Sequence, residues 1–185
     1  MYTNCQTLRD FYSIDKMTVK NLLFRFFATT LTKFKELQCL LHFLPSHFAI
    51  TNGAGQGISL FTRLCNVNVQ NSKQNQVEKM VVNIGPKRLI CIYNKNKSGN
   101  VVAQEVLHDV QKRRTVVFGD FNMNPINQLA PHFEEQMVIK PTFHRGTLID
   151  HLYRNCQVEY FSQHSVIFSD HDCISFAIEN KSDFN

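Results

Sequence analysis

Short apolar runs bounded by Gly, Asn or Pro restrict what this chain can fold into, because runs of this kind form β-strands. From residue 46 onward they read HFAIT, GISLFT, VEKMVVNI, RLICIY, TVVFGD, LIDHLYRN, CQVEY, SVIFS and CISFAI. VVAQEVLHDVQKR and the segment Ile126–Met137, which follows Pro125, have helical spacing instead. The order of strands, helix, strand, helix and strands predicts a mixed α/β fold.

The segment before residue 46 gives fewer signals. NLLFRFFATT predicts a buried strand, and TLTKFKELQCLLHF has the apolar spacing of a helix. The most apolar stretch, Leu22–Phe27, is cut by Arg25 and falls well short of the roughly 20 residues that a membrane span needs. We therefore expect one domain over residues 1–185 and no contact with a membrane.

The cysteines and the distribution of charge limit the classes of protein to which this chain can belong. The six Cys form no C-x-x-C pair, which favours reduced thiols in an intracellular protein over disulfides or a zinc site. Residues 1–92 hold eleven Lys and Arg against four Asp and Glu, a charge of +7, whereas residues 93–185 carry −2. A basic first half suits a polyanionic partner.

Three acidic motifs in the second half carry the chemistry. Gly119-Asp120-Phe121-Asn122 follows the apolar run TVVF, so that Asp120 and Asn122 point to the same side of a strand end. Asp150 stands inside the run LIDHLY, where a carboxylate is costly unless it is paired. Asp170 and His171 occupy a turn between two apolar runs. Each motif alone is also compatible with an ordinary polar turn or an exposed edge strand.

Taken together, GDFN, IDH and SDH, in that order, resemble the C-terminal signature of the endonuclease/exonuclease/phosphatase superfamily. The likeness runs from about Gly53 to Ile178 and is greatest to the apurinic-endonuclease-like endonuclease domains of transposable elements, of the non-LTR retrotransposon or Helitron type. It implies a four-layer α-β-β-α sandwich of the DNase I-like class. It also implies a phosphodiesterase that acts on DNA with Mg²⁺ or Mn²⁺.

The resemblance assigns a role to each matching residue. His171 polarises the attacking water and Asp150 orients its imidazole, while Asp170 and Asp120 bind the metal. Asp120 also positions the nucleophile or assists the leaving group, Asn122 bonds a phosphate oxygen, and Tyr93 in RLICIYN holds the phosphate. If this is right, the side chains of Asp150 and His171 must lie within hydrogen-bond reach of one another.

The first half matches less well. Asn4 in NCQTL resembles the opening Asn motif and would lie near the metal. The Glu that the family places at the end of its second strand is missing, because Thr29 and Thr30 take its position and Glu36 is the nearest acid. The N-terminal part therefore resembles an eroded or truncated version of the fold, and we expect weak metal binding.

Three functions remain open from the sequence. The first is an active DNA endonuclease, monomeric, in the nucleus or cytoplasm, with Arg63, Lys73, Lys87 and Arg88 as candidate DNA contacts. The second is an inactive mobile-element relic that only binds nucleic acid. The third is a phosphoesterase for inositol phosphates or sphingomyelin, which the basic first half disfavours.

Overall fold

A computed structural model describes most of the chain beyond residue 67 and three short strands before it. The described residues are 24–28, 48–51, 58–62, 68–95, 98–110, 114–123, 127–165 and 170–178. Within them, no helix is long and apolar enough to cross a membrane.

The described elements are eleven strands and one α-helix, which is called α1. The strands are β1 Phe24–Ala28, β2 Phe48–Thr51, β3 Ile58–Thr62, β4 Asn68–Gln74, β5 Val77–Ile84, β6 Lys87–Asn94, β7 Arg114–Asp120, β8 Glu135–Gln136, β9 Asp150–Arg154, β10 Val158–His164 and β11 Cys173–Ile178. The helix α1 spans Gly99–Val110, and a 3₁₀ turn spans Ala130–His132.

A six-stranded sheet in the order β4-β5-β6-β7-β9-β8 forms the centre of the molecule. The pair β6–β7 is parallel and is joined through α1, whereas the other neighbours are antiparallel. Strands β1, β3 and β2 form a second sheet, and β10 pairs with β11. Parallel neighbours need a long crossover connection, which is why the helix follows β6.

The two faces of the central sheet bury different partners. On one face, α1 packs its buried residues Val102, Ala103, Val106 and Val110 onto the sheet. On the other face, Ile58 of β3 and the apolar residues of β10 and β11 cover the sheet. Helix, sheet and second layer of strands are consecutive layers of the predicted sandwich, and the mixed α/β class is confirmed.

A network of four charged residues ties α1 to the central sheet. Lys79 Nζ lies 2.8 Å from Asp109 Oδ2 and donates to the Glu105 carbonyl at 2.7 Å. Arg88 donates to the Asp109 carbonyl at 2.7 Å and lies 3.3 Å from Asp109 Oδ1. The helix-side network (Lys79, Arg88, Glu105 and Asp109) thus pairs two cations with two anions.

Most predicted elements are confirmed. The strand in NLLFRFFATT, the strands in HFAIT, GISLFT, VEKMVVNI and RLICIY, the helix after Ser98 and the strand that ends at Asp120 are all present. On β9 the side chains alternate between the two faces of the sheet, since Leu152 and Tyr153 belong to opposite cores. The predicted helix over residues 30–43 and most of SVIFS lie outside the described residues.

The predicted helix Ile126–Met137 is wrong. Its described part contains the 3₁₀ turn Ala130–His132 and then β8, which pairs with β9. Pro131 has no N–H and would clash with the preceding turn of an α-helix. Arg154 also holds the Glu135 carboxylate at 2.7 Å, which fixes the extended backbone of β8. Strand β4 was not predicted because its residues are almost all polar.

Candidate active site

Five polar side chains form a row across one end of the central sheet. Strand register pairs Lys73 with Glu78, Glu78 with Tyr93, Tyr93 with Asp120 and Asp120 with Asp150. Residues paired directly across strands project from the same face of a sheet. This polar row (Lys73, Glu78, Tyr93, Asp120 and Asp150) therefore lines the edge where the three acidic motifs were expected to meet.

The GDFN motif folds as it does because of two unusual backbone conformations. Gly119 has φ of +131°, and a Cβ atom there would collide with the carbonyl oxygen of Ile92 on the neighbouring strand. Asn122 is left-handed with φ of +53°, and its N–H donates to Asp120 Oδ1 at 2.8 Å. The turn therefore places Asn122 directly beside the carboxylate that ends β7.

Two buried side chains hold the loop that follows β7. The Asn94 side chain donates from Nδ2 to the Phe121 carbonyl at 2.8 Å. His151 donates from Nε2 to the Met123 carbonyl at 2.8 Å, and its Nδ1 accepts from Gln136 at 3.3 Å. Burial lowers the pKa of His151, so that the ring stays neutral and keeps this arrangement.

Asp150 and His171 meet although 21 positions separate them, as predicted. The Nδ1–H group of His171 donates to Asp150 Oδ2 at 2.8 Å. Asp150 is 10% exposed and His171 is 24% exposed, so the pair sits at the margin of the interior. Asp170 Oδ1 lies 4.0 Å from His171 Nε2 on the solvent side.

Thr142 holds both partners of this pair and was not singled out from the sequence. Its buried hydroxyl accepts hydrogen bonds from the N–H groups of Ile149 at 3.2 Å and of Asp150 at 3.0 Å. Its carbonyl accepts from the N–H of Asp172 at 2.7 Å, one residue beyond His171. A single Thr between Pro141 and Phe143 gives no sequence signal for such a role.

The hairpin that starts at Thr142 completes the support of His171. Phe143 forms an antiparallel bridge with His171, and the two rings pack at 5.1 Å with an interplanar angle of 62°. The N–H of His144 donates to the Asp170 carbonyl at 2.9 Å. The segment of Asp170 and His171 is thus held by backbone bonds on the hairpin as well as by Asp150.

The electrostatics of this acidic cluster (Asp120, Asp150, Asp170 and His171) are those of crowded carboxylates. Burial, followed by the charge of Asp150, raises the pKa of Asp120 to about 6. The hydrogen bond to Asp150 raises the pKa of His171, because the carboxylate stabilises the imidazolium. Burial, followed by the charge of Asp120, raises the pKa of Tyr93.

No family model and no curated protein matches the sequence, whereas several solved structures have a similar fold. The endonuclease domain of TRAS1, a telomere-specific non-LTR retrotransposon, is 10% identical over 85% of this chain and 98% of its own, with a TM-score of 0.59. The 3'-5' exonuclease NExo from Neisseria meningitidis is 11% identical over 95% of this chain and 96% of its own, with a TM-score of 0.62.

A third structure, TDP2 of D. rerio complexed with single strand DNA product, is 12% identical over 92% of this chain and 90% of its own, with a TM-score of 0.58. The chain has the endonuclease/exonuclease/phosphatase fold. At such identities the likeness establishes the fold, and the chemistry rests on the residues of the site.

The endonuclease/exonuclease/phosphatase fold of this chain brings together donors that suit a hard divalent cation. One ligand atom each of Asp120, Asp150 and His171 lies within 4.8 Å of the other two. The pKa of Asp120 is raised first by burial and then by the charge of Asp150, which a bound cation would offset. Carboxylates are the ligands that Mg²⁺ and Mn²⁺ prefer, so that the two Asp carboxylates fit such an ion, while Nδ1 of His171 is already bonded to Asp150.

Some expected site residues cannot be placed. Asn4, Thr29, Thr30 and Glu36 lie outside the described residues, and so does Arg63. Among the expected DNA contacts, Lys73 lies in the polar row. Lys87 is buried at the opposite end of β6 and Arg88 belongs to the helix-side network, so that neither is a surface cation as expected.

Proposed function

We propose that this chain is a metal-dependent phosphodiesterase of the endonuclease type, with DNA as its substrate. The observation that carries the proposal is the Asp150–His171 hydrogen bond of 2.8 Å beside the buried carboxylate of Asp120. A carboxylate that orients a His, next to further carboxylates at a sheet edge, is suited to activating water for attack on a phosphodiester.

His171 is the proposed general base. Because its Nδ1–H donates to Asp150, the neutral ring carries its lone pair on Nε2, which can accept a proton from water. The Asp150 carboxylate holds the ring in this tautomer and stabilises the imidazolium that forms. Proton transfer of this kind accelerates hydrolysis by about 10²–10⁴-fold.

Asp120 and Asp170 are the proposed metal ligands, and Asn4 is expected to complete the site. When bound, a divalent cation stabilises the charge that develops on the phosphoryl oxygens. Asn122 would donate its amide to a phosphate oxygen, since its backbone already ties it to Asp120 at 2.8 Å. Tyr93 stands next to Asp120 in the polar row and would hold the same phosphate.

DNA is favoured over inositol phosphates and sphingomyelin by two observations. The first half of the sequence is strongly basic, which suits a polyanion longer than a lipid headgroup. The printed names of the similar structures include a retrotransposon endonuclease domain, an exonuclease, and a protein bound to single strand DNA product. Such a substrate would place the enzyme in the nucleus or cytoplasm.

Nicking of supercoiled plasmid in Mg²⁺ or Mn²⁺ tests the proposal, in parallel with phosphate release from a phosphoinositide and phosphocholine release from sphingomyelin. We expect nicking that EDTA abolishes, and no release from either lipid. DNA binding without nicking in either metal would favour the inactive relic. Lipid hydrolysis without nicking would assign the site to small phosphoesters.

A further inference from the structure

The peptide groups on both sides of Asn122 are held from the interior by two buried side chains. Asn94 donates from Nδ2 to the Phe121 carbonyl at 2.8 Å, and the same nitrogen lies 3.8 Å from the sulfur of Met123. His151 donates from Nε2 to the Met123 carbonyl at 2.8 Å. Because the two carbonyls belong to the residues before and after Asn122, the path of the backbone through Asn122 is fixed at both ends.

The contacts of His151 make it a hydrogen-bond donor to this turn. The Met123 carbonyl can only accept a hydrogen bond, so Nε2 of His151 carries the proton. Nδ1 then has the lone pair, and it accepts from the Gln136 side chain at 3.3 Å. The imidazole is fully buried and packs edge-on against the Phe121 ring, with 5.2 Å between the centroids and an interplanar angle of 81°. A ring with both nitrogens bonded and no exposed surface cannot contact a substrate, so any effect of His151 on one acts through the residues it holds.

The residue between the two held carbonyls has an unusual backbone. Asn122 has φ of +53°, a left-handed conformation that persists at a residue with a side chain only where the surroundings hold it. Its N–H donates at 2.8 Å to Oδ1 of Asp120, a member of the acidic cluster. The backbone conformation sets the position of the Asn122 Cβ atom and therefore the region that its amide can reach.

A different set of contacts orients the proposed general base. His171 is bonded to Asp150 and bridged to Phe143, and the N–H of Asp150 is bonded to Thr142. These contacts come from the hairpin and from β9, whereas the two donors under the turn hold the carbonyls around Asn122. The two supports predict separate effects, because one aligns a group for phosphate binding and the other aligns a group for proton transfer.

We propose that Asn94 and His151 are positioning residues, which keep Asn122 in its left-handed conformation and thereby set the affinity of the site for the substrate phosphate. The inference rests on the proposed function, in which Asn122 donates its amide to a phosphate oxygen. Because such a contact is present in both the bound substrate and the transition state, its loss raises KM and leaves kcat nearly unchanged.

The kinetics of oligonucleotide cleavage test His151 with two variants. His151→Phe keeps an aromatic ring against Phe121 and removes the donor, so it should raise KM by about tenfold, with kcat within about twofold of the parent. His151→Gln retains an amide that can donate to the Met123 carbonyl and should recover most of the affinity. A fall in kcat without a rise in KM would overturn the proposal, because His151 would then act through its neighbour Asp150.

The second donor is tested with a matched control. Asn94→Ala should raise KM as His151→Phe does. Asn155→Ala also removes one bond between a side-chain amide and the backbone, since Asn155 accepts from the N–H of Thr115 at the opposite end of β7 from the turn. It should leave KM and kcat unchanged. An equal rise of KM in Asn155→Ala would assign the effect to a general loss of stability and overturn the proposal.

The coupling to Asn122 is tested in an Asn122→Gly background. Glycine adopts the left-handed backbone without strain and lacks the amide. Asn122→Gly should itself raise KM by about tenfold, and adding His151→Phe should then raise it no further, because the contact that His151 aligns is already gone. If the two increases multiply, His151 acts on a group other than Asn122 and the proposal fails.

Hydrogen exchange separates failure of this inference from failure of the proposed function. If the parent protein cleaves no DNA, the proposed function fails, and exchange of the Asn122 N–H measured by NMR still reports on the turn. This N–H should exchange about tenfold faster in His151→Phe and Asn94→Ala than in the parent, and at the parent rate in His151→Gln and Asn155→Ala. Unchanged exchange in both donor variants would overturn the inference whatever the activity.

Discussion

The helix-side network and the acidic cluster both place charged groups against the central sheet, and they differ in how the charges are balanced. In the helix-side network each anion contacts a cation, as in the 2.8 Å pair of Lys79 and Asp109. In the acidic cluster three carboxylates share one His, and the pKa of Asp120 rises to about 6. The first arrangement stabilises a fold, whereas the second is destabilising until something positive binds.

This contrast gives a way to distinguish structural from functional charge in the chain. Removing an acid from the helix-side network should weaken the protein and leave its chemistry alone. Removing Asp120 from the acidic cluster should do the reverse.

The largest effect is expected from His171→Ala. Plasmid nicking should fall by about 10²–10⁴-fold, because water loses its general base, while DNA affinity stays within about twofold of the parent. His108→Ala, which removes a 90% exposed His beside Asp109, is the matched control and should nick at the parent rate. Parent-like nicking by His171→Ala would place the base elsewhere.

A smaller loss is expected from Thr142→Val, which keeps the shape but removes the acceptor for the N–H groups of Ile149 and Asp150. Stability should fall by about 1–3 kcal/mol in urea unfolding, because buried donors lose their partner. Nicking should also fall at temperatures where the variant is folded, since Asp150 no longer aligns His171. Thr142→Ser retains the hydroxyl and should keep both the stability and the nicking activity of the parent. If Thr142→Val loses stability but not activity, Thr142 supports the fold and does not align His171.

Opposite stability changes are expected from two Asp→Asn variants in metal-free buffer at pH 7. Asp120→Asn should stabilise the chain by up to about 3 kcal/mol, because the raised pKa of Asp120 means that ionisation opposes folding. The gain should grow as pH rises from about 4 to about 6, and it should vanish below pH 4, where the carboxyl is protonated in both states.

Asp109→Asn should destabilise the chain by about 1–3 kcal/mol, since it weakens the contacts of Lys79 and Arg88. Urea unfolding of both variants at several pH values measures the two changes in the free energy of unfolding. Equal signs for the two changes would mean that the acidic cluster is balanced like the helix-side network.

The smallest effect is expected from Mg²⁺ on thermal stability. A cation that binds the folded acidic cluster should raise the Tm of the parent protein by a few degrees, in proportion to the logarithm of its concentration. The rise should be absent in Asp120→Asn and intact in Asp109→Asn. An equal rise in all three proteins would indicate binding outside the acidic cluster.

The sequence was sufficient for the parts of the molecule that depend on local pattern. Apolar runs predicted the strands β5, β6, β7 and β9. The resemblance to the endonuclease/exonuclease/phosphatase superfamily implied that Asp150 and His171 would meet, and they do. The strands follow from apolar runs bounded by turn residues.

The remaining features depend on register and burial, which a single sequence does not encode locally. Glu78 joins the polar row only because the register of β5 places it opposite Lys73 on β4 and opposite Tyr93 on β6. A shift of that register by one residue would turn Glu78 to the other face of the sheet. Thr142 gains its role from a hairpin that folds back onto a distant turn. The helix expected over 126–137 failed because Pro131 and the pairing with β9 overrode a helical spacing.

The close packing of Gly119 against Ile92 sets a limit on how this protein can vary. A side chain at position 119 would press β7 away from β6, and Tyr93 and Asp120 would then separate, because the same pair of strands carries them. Any library of variants built around the GDFN turn can therefore sample position 122 only among residues that keep the left-handed backbone, and at the cost of the phosphate contact proposed for Asn122. It must leave position 119 as glycine, since one methyl group there would alter the spacing of two residues that it never touches.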